Sequence, residues 1–319
     1  MIELEDVTAV GTGLKRPECV LCTAGGALFT ADWDGGVTRI DADGTQQQFL
    51  APAVAAMRPN GIALCPDGSF LLAHLGDADG GVFRLFRDGT LEPLLTEVDG
   101  APLPPTNFIL PDRDGRFWIT VSTRLRPRDR DYRPDAADGF IVLLDGDGAR
   151  IVADGLGYTN EVQVHPSGDW LYVNETFGRR LSRFPINAGG ALGARETVTA
   201  FGHGSFPDGM AFDAEGQVWI VSIVSNRVVR VDDRGNQETV LEDKDDAHLD
   251  WVEQAYLAGE LGRPHLDGVK SRKLRNISSL AFGGSDLRTV YLGCLLGDQI
   301  ARFRAPVAGH PPAHWRYEA

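Results

Sequence analysis

The chain has few of the residues on which several common chemistries depend. Its 319 residues include only four cysteines, seven histidines and three methionines. Four cysteines do not make a disulfide scaffold for a chain this long. Cys19 and Cys22 have CxxC spacing, yet no second pair of cysteines or histidines completes a zinc site. Their spacing of three on an expected strand turns them to opposite faces, which predicts buried free thiols. The histidines are scattered without metal-ligand spacing. No Gly-x-Ser-x-Gly elbow occurs, which argues against a nucleophilic-serine hydrolase. No apolar run is long enough to span a bilayer. Met1-Ile2-Glu3-Leu4-Glu5-Asp6 lacks the basic and apolar regions of a signal peptide, so a cytoplasmic location is expected. Positive charge is also scarce: 31 Lys and Arg face 45 Asp and Glu, a net charge of −14. Such a field repels polyanions, so neither nucleic acid nor an anionic membrane is an expected partner.

What is abundant is turn chemistry and repetition. There are 38 glycines and 18 prolines, enough for many tight turns. Six polar residues, each preceded by Pro, Thr or Ser, recur at one offset from a turn: Glu18, Asn60, Asn107, Asn160, Asp208 and Ser279. Seven residues on come Gly25, Asp67, Asp114, Ser167, Glu215 and Asp286, each followed by an apolar run such as Phe117-Trp118-Ile119 or Val218-Trp219-Ile220. Self-similarity of this kind points to a propeller or solenoid.

The fifth repeat shows the unit. Met210 to Asp213 is a short strand, Ala214 to Gln217 a turn, and Val218 to Ile223 a strand rich in β-branched and aromatic residues. Arg227 to Val231 alternates polar and apolar, as a half-buried strand does, and Gln237 to Leu241 follows another turn. Four antiparallel strands repeated six times predict an all-β, six-bladed propeller in one domain over residues 1–319. No Trp-Asp pair ends the blades, so the WD type does not fit. Glu3 to Val10 is expected to join the last blade and close the ring, which protects the edges. One segment, at about 243–275, interrupts the pattern. Leu249, Val252, Tyr256 and Leu257 there have helical spacing, which predicts a short amphipathic helix before blade six, either a rim ornament or a lid or wall of the pocket.

In a blade the innermost strand comes first. Its entry and the connection between strands two and three therefore share one face. The six polar residues then ring the channel mouth, with an outer ring that includes Trp33, His74, Arg124, Thr176, Phe177, Asn226 and Leu296. Two carboxylates, three carboxamides and a hydroxyl are hard oxygen donors, suited to Ca²⁺, Mg²⁺ or Mn²⁺. Two acids facing each other also repel unless a cation lies between them. The competing reading, strand-start caps through side chain–backbone hydrogen bonds, explains one Asn better than six residues at one offset.

These residues resemble the senescence marker protein-30/gluconolactonase/luciferin-regenerating enzyme family of six-bladed, calcium-dependent hydrolases. The resemblance covers most of the chain. It is carried by Arg58-Pro59-Asn60-Gly61-Ile62-Ala63, Tyr158-Thr159-Asn160-Glu161, Ala281-Phe282-Gly283-Gly284 and, most specifically, Phe206-Pro207-Asp208-Gly209-Met210 running on to Glu215-Gly216. It implies one divalent metal, Ca²⁺ first with Mg²⁺, Mn²⁺, Zn²⁺ or Fe²⁺ as alternatives, held by Glu18, Asn160 and Asp208. Asn107 would be a further ligand or substrate contact, and Asp208 the acid that activates water. A small-molecule substrate follows, a sugar-acid or related lactone. Asn60, Phe108, Trp33, His74, Arg124 and Phe177 are the candidate substrate contacts.

Two departures stand out. Where sugar-lactonase relatives carry a basic residue two before the blade-three asparagine and Asp-Gly after it, this chain has Pro105, Phe108 and Ile109. Where the glutamate motif usually continues Gly-Pro, it continues Cys19-Val20. With Trp33, Phe177, Leu295 and Leu296, these suggest a mouth more apolar than a sugar site. The alternatives in sequence terms are a phosphotriesterase-like hydrolase, a metal-dependent isomerase or lyase, and a non-catalytic binding propeller.

Overall fold

The computed structural model describes residues 1–317. Six four-stranded antiparallel sheets follow one another along the chain. Their first strands are Val20–Cys22, Pro59–Leu64, Thr106–Pro111, Thr159–Val164, Ser205–Phe212 and Ile277–Gly283. Each of these touches the first strand of the next blade, and the sixth touches the first, so they encircle one axis. Thr8–Val10 pairs antiparallel with Ile300–Arg304 as the outermost strand of blade six. The ring is thus closed by the N-terminal segment, as the sequence predicts. All four cysteines are buried and free.

The 243–275 segment contains two helices, α1 (Asp246–Ala258) and α2 (Arg263–Asp267). Asp245 caps α1 by accepting from the His248 amide at 2.8 Å, and Gly259 ends it at φ 70°, a left-handed backbone that glycine adopts without strain. Leu249, Val252 and Tyr256 are buried with Phe177, Phe206 and Ile223 on blades four and five. Leu257 is 68% exposed, so the apolar stripe is one residue narrower than its spacing suggests. Arg179 pins the helix from below: it pairs with Glu253 and lies over Phe206 and Tyr256 at 4.3 and 4.0 Å. The insertion therefore sits on the face where first strands begin.

Two other segments depart from the repeat. In blade three, Phe117–Val121 connects to Gly139–Asp145 through a long loop whose Tyr132 is buried against Phe177 (ring centroids 4.4 Å) and Tyr158 (5.4 Å). After the last strand the chain crosses the opposite face. The Ala214 amide donates to Ala308, the His310 amide to Phe212 and the Ala24 amide to Trp315.

Blades three and five share a buried anchor. The Asp213 carboxylate accepts from the amides of Glu215 and Gln217 (both 2.9 Å), from Trp219 Nε1 (3.0 Å) and from Arg230 Nε (2.8 Å). Asp112 does the same with Asp114, Arg116 and Trp118. One carboxylate thus fixes the turn, orients a core indole and satisfies an arginine. Removing one partner of such a set leaves several donors unpaired. Asp213→Ala is expected to lower stability by about 3 kcal/mol, seen as a lower urea midpoint with unchanged slope.

Candidate functional site

The first strands do not run as plain ladders. The pairing register slips between Pro59 and Ile62, Thr106 and Phe108, Thr159 and Val162, Pro207 and Met210, and Ile277 and Ser279. A bulge adds a residue and re-aims side chains. The residues at these bulges include Asn60, Asn107, Asn160 and Asp208. In blade six the extra residue is Ser278, because the ladder resumes at Ser279, opposite Gly293. Counting back from the turn therefore misplaces the sixth ring member by one. Ser278, whose Oγ donates to the Glu18 carbonyl at 3.1 Å, takes the ring position. Ser279 falls into the next layer with Cys19, Phe108 and Glu161.

Glu18, Asn60, Asn107, Asn160 and Asp208 are each 8% exposed or less. The carboxamides are fixed in orientation by their neighbours. Asn60 Nδ2 donates to the Asn107 carbonyl (3.1 Å), a group that can only accept. Thr176 Oγ1 spends its proton on the Pro207 carbonyl (2.8 Å), so towards Asn160 Nδ2 (3.0 Å) it can only accept. Asn107 Nδ2 donates to Ser122 Oγ (3.0 Å). The amide donors are tied outward. Asn60 Oδ1 and Asn107 Oδ1 are left buried with no hydrogen-bond partner, a costly state for a carbonyl unless something coordinates it.

The acids are crowded. Glu18 Oε2 accepts from Arg16 Nε at 2.9 Å, and Arg16 in turn lies 4.2 Å over the Trp33 ring. Burial, then the Glu18 and Glu161 carboxylates, push the Asp208 carboxyl well above the ordinary range, with Arg16 and Asn160 opposing. Burial also raises Glu161 to about 8, against the Met210 amide that donates to it at 3.0 Å. Gly209 makes room for Glu161: a Cβ there would meet Glu161 Oε1 at 3.0 Å and Ser279 Cα at 2.5 Å.

Two acids pushed toward the neutral form and the Arg16-bound Glu18, beside unpartnered carbonyl oxygens, fit a divalent cation. Among the described residues no three His, Cys, Asp or Glu side chains form a metal cluster by themselves; the donor set here is completed by carboxamides. Such hard oxygen ligands favour Ca²⁺ over softer metals.

The other candidates are placed as follows. Trp33 Nε1 donates to the Pro59 carbonyl (3.0 Å), next to Asn60. His74 is buried under the blade-two rim, where Nδ1 accepts from the Arg58 amide (3.1 Å). Arg124 grips Asp154 with two bonds of 2.8 and 2.9 Å and lies over Phe140, on the outside of blade three. Phe177 is packed under α1, its carbonyl accepting from Tyr256 Oη at 2.5 Å. Phe108 and Ile109 line a separate cavity on the other side of the ring, away from the mouth.

Glu161, Arg16 and the blade-three loop beyond Arg124 were not among the sequence candidates. Glu161 stands where blades two and five have Gly61 and Gly209, which is visible once the repeats are aligned. The loop is marked by its length and by the run from Arg124 to Asp135. It brings Arg128 near the site. Burial would lower its pKa, but the Tyr158 and Tyr132 phenols and the Glu18 carboxylate outweigh that and hold it charged.

The chain is 29% identical over 181 residues to a 6-deoxy-6-sulfogluconolactonase of Pseudomonas putida, covering 56% of this chain and 50% of that protein. It is 29% identical over 167 residues to the pentonolactonase XacC of Haloferax volcanii, covering 51% and 47%. The chain thus aligns with about half the length of these curated relatives. Among solved structures, a gluconolactonase of Xanthomonas campestris superposes with a TM-score of 0.69 at 19% identity, covering 94% of this chain and 89% of that one. A calcium-binding regucalcin of Agrobacterium tumefaciens does so at 0.67 and 18%, covering 97% and 95%. At such identities these two likenesses speak for the fold. The family profile described as the SMP-30/gluconolactonase/LRE-like region matches residues 17–242, and the chain belongs to that family.

Proposed function

We propose that the chain is a divalent-metal-dependent hydrolase that opens a small lactone, with Ca²⁺ held by Glu18, Asn160 and Asp208 and with Asn107 as a fourth ligand or a substrate contact. The observation that carries this reading is the orientation of the carboxamides. Their donors are anchored in the wall, while Asn60 Oδ1 and Asn107 Oδ1 are left without partners beside two acids. The names of the curated relatives support a sugar-acid lactone as the substrate class.

When bound, such a cation supplies Lewis-acid polarisation of a carbonyl and makes a nearby water more acidic. Asp208 is the group placed to take the proton from that water at a carboxylate oxygen, since, unlike Glu18, it accepts no hydrogen bond from an arginine and, unlike Glu161, it lies in the ring of candidate ligands. Arg16 grips Glu18 through Oε2 and so fixes the position of that oxygen. The Asn60 and Asn107 oxygens orient hydroxyls of the substrate. The blade-three loop and the insertion exclude bulk water, which strengthens each of these interactions.

Metal-stripped protein should regain lactone hydrolysis, followed by acid release, when Ca²⁺ is added. Asp208→Asn should lose at least about a hundredfold in kcat while folding normally. A protein equally active with and without chelator would refute the reading. Thr176→Val removes the acceptor that orients Asn160. Calorimetric titration should then show Ca²⁺ affinity weaker by about tenfold or more, with the urea midpoint of the stripped protein little changed.

A further inference from the structure

One cavity in the propeller is separate from the candidate metal ligands. It occupies the other half of the channel, with a volume of about 300 Å³. Its inner end is the second layer of axial residues, Cys19, Phe108, Glu161 and Ser279, and its outer end is roofed by the C-terminal segment His310 to His314. The size falls at the lower end of the range for small-molecule pockets.

Three features define what would fit. The walls are apolar, built by Ile62, Leu110, Val164, Met210 and Phe282, so a polyhydroxylated sugar would leave its hydroxyls unpaired there. The inner end offers hydrogen bonding. Ser279 Oγ is 3% exposed and has no partner, and the acids Glu161, Glu18 and Asp208 lie behind it. The mouth carries one guanidinium that no carboxylate among the described residues pairs with, in a chain of net charge −14. Arg113 Nη2 lies 2.8 Å from His310 Nε2, and His165 shares this rim. Among the described residues Arg113, His165 and His310 have no carboxylate within salt-bridge distance. The acids at the same rim are already committed: Asp112 to Arg116 and Trp118, Asp114 to Arg116. His314 Nε2, on the wall, is also without a partner.

We propose that this half of the channel is a second binding site, taking a carboxylic acid with an apolar body whose carboxylate rests between Arg113 and His310 and whose far end reaches Ser279. It is independent of the hydrolytic reading, since none of its contacts with the ligand involves the candidate metal ligands.

Met210 lines the cavity, whereas Met1 and Met57 do not, so methyl-labelled methionine reports on the site directly. The full chain would be titrated with octanoate, octanol and octylamine, and followed by the Met210 methyl resonance and by calorimetry. Octanoate should shift Met210 alone and bind at least about tenfold more tightly than octylamine. Arg113→Gln, at an exposed residue, should weaken octanoate by about tenfold and leave octanol unchanged. Ala281→Trp, which fills the cavity, should abolish the Met210 shift. Equal binding of the three probes, binding unaffected by Ala281→Trp, or no shift with octanoate would each overturn the proposal.

Discussion

The constraint on which the site depends is ring closure around an axis that carries acids. A six-bladed ring brings the first strands into mutual contact. The bulges in five of those strands, and the approach to the first strand of blade one, turn one polar side chain per blade toward the centre. Once the ring is closed, Glu18, Asp208 and Glu161 cannot move apart, and burial removes the water that would screen them. The Thr8–Val10 strand on blade six is therefore more than an edge cover. It holds together a polar axis whose carboxylates repel each other.

Apolar packing supplies the force that opposes this repulsion. Trp118, Trp219, Phe29 and Phe70 are fully buried between sheets, and Asp112 and Asp213 orient the two indoles while pinning their turns. Gly61 and Gly209 matter for a different reason. A Cβ at Gly61 would meet Phe108 Cα at 2.7 Å, and one at Gly209 would meet Ser279 Cα at 2.5 Å, so neighbouring first strands approach closely only because these positions have no side chain. The same absence leaves the space that Glu161 fills.

Much of the fold was legible because repetition constrains it. One residue offset, six times over, sets the blade number, the closing strand and the face on which Asn60, Asn107, Asn160 and Asp208 meet. The offset failed at Ser279, where the bulge falls one residue earlier, a shift of register that no propensity records. Helical spacing located the insertion but included Leu257, which faces out. The pairing of Arg16 with Glu18, the anchoring of Asn160 by Thr176 and the placing of Phe108 below the ring arise from contacts between blades. Neither spacing nor composition reports those. The tail that roofs the lower cavity is likewise invisible in the repeat, since it lies beyond it.

The central claim is that the axial oxygens hold a divalent cation. The most direct test is anomalous diffraction from crystals of the full chain soaked in Mn²⁺, a hard cation with a usable signal. A single strong peak within coordination distance of Glu18, Asn160 and Asp208, lost in Asp208→Asn, is the expected result. A well-ordered axis with no peak there, or a peak held by other residues, would contradict the account.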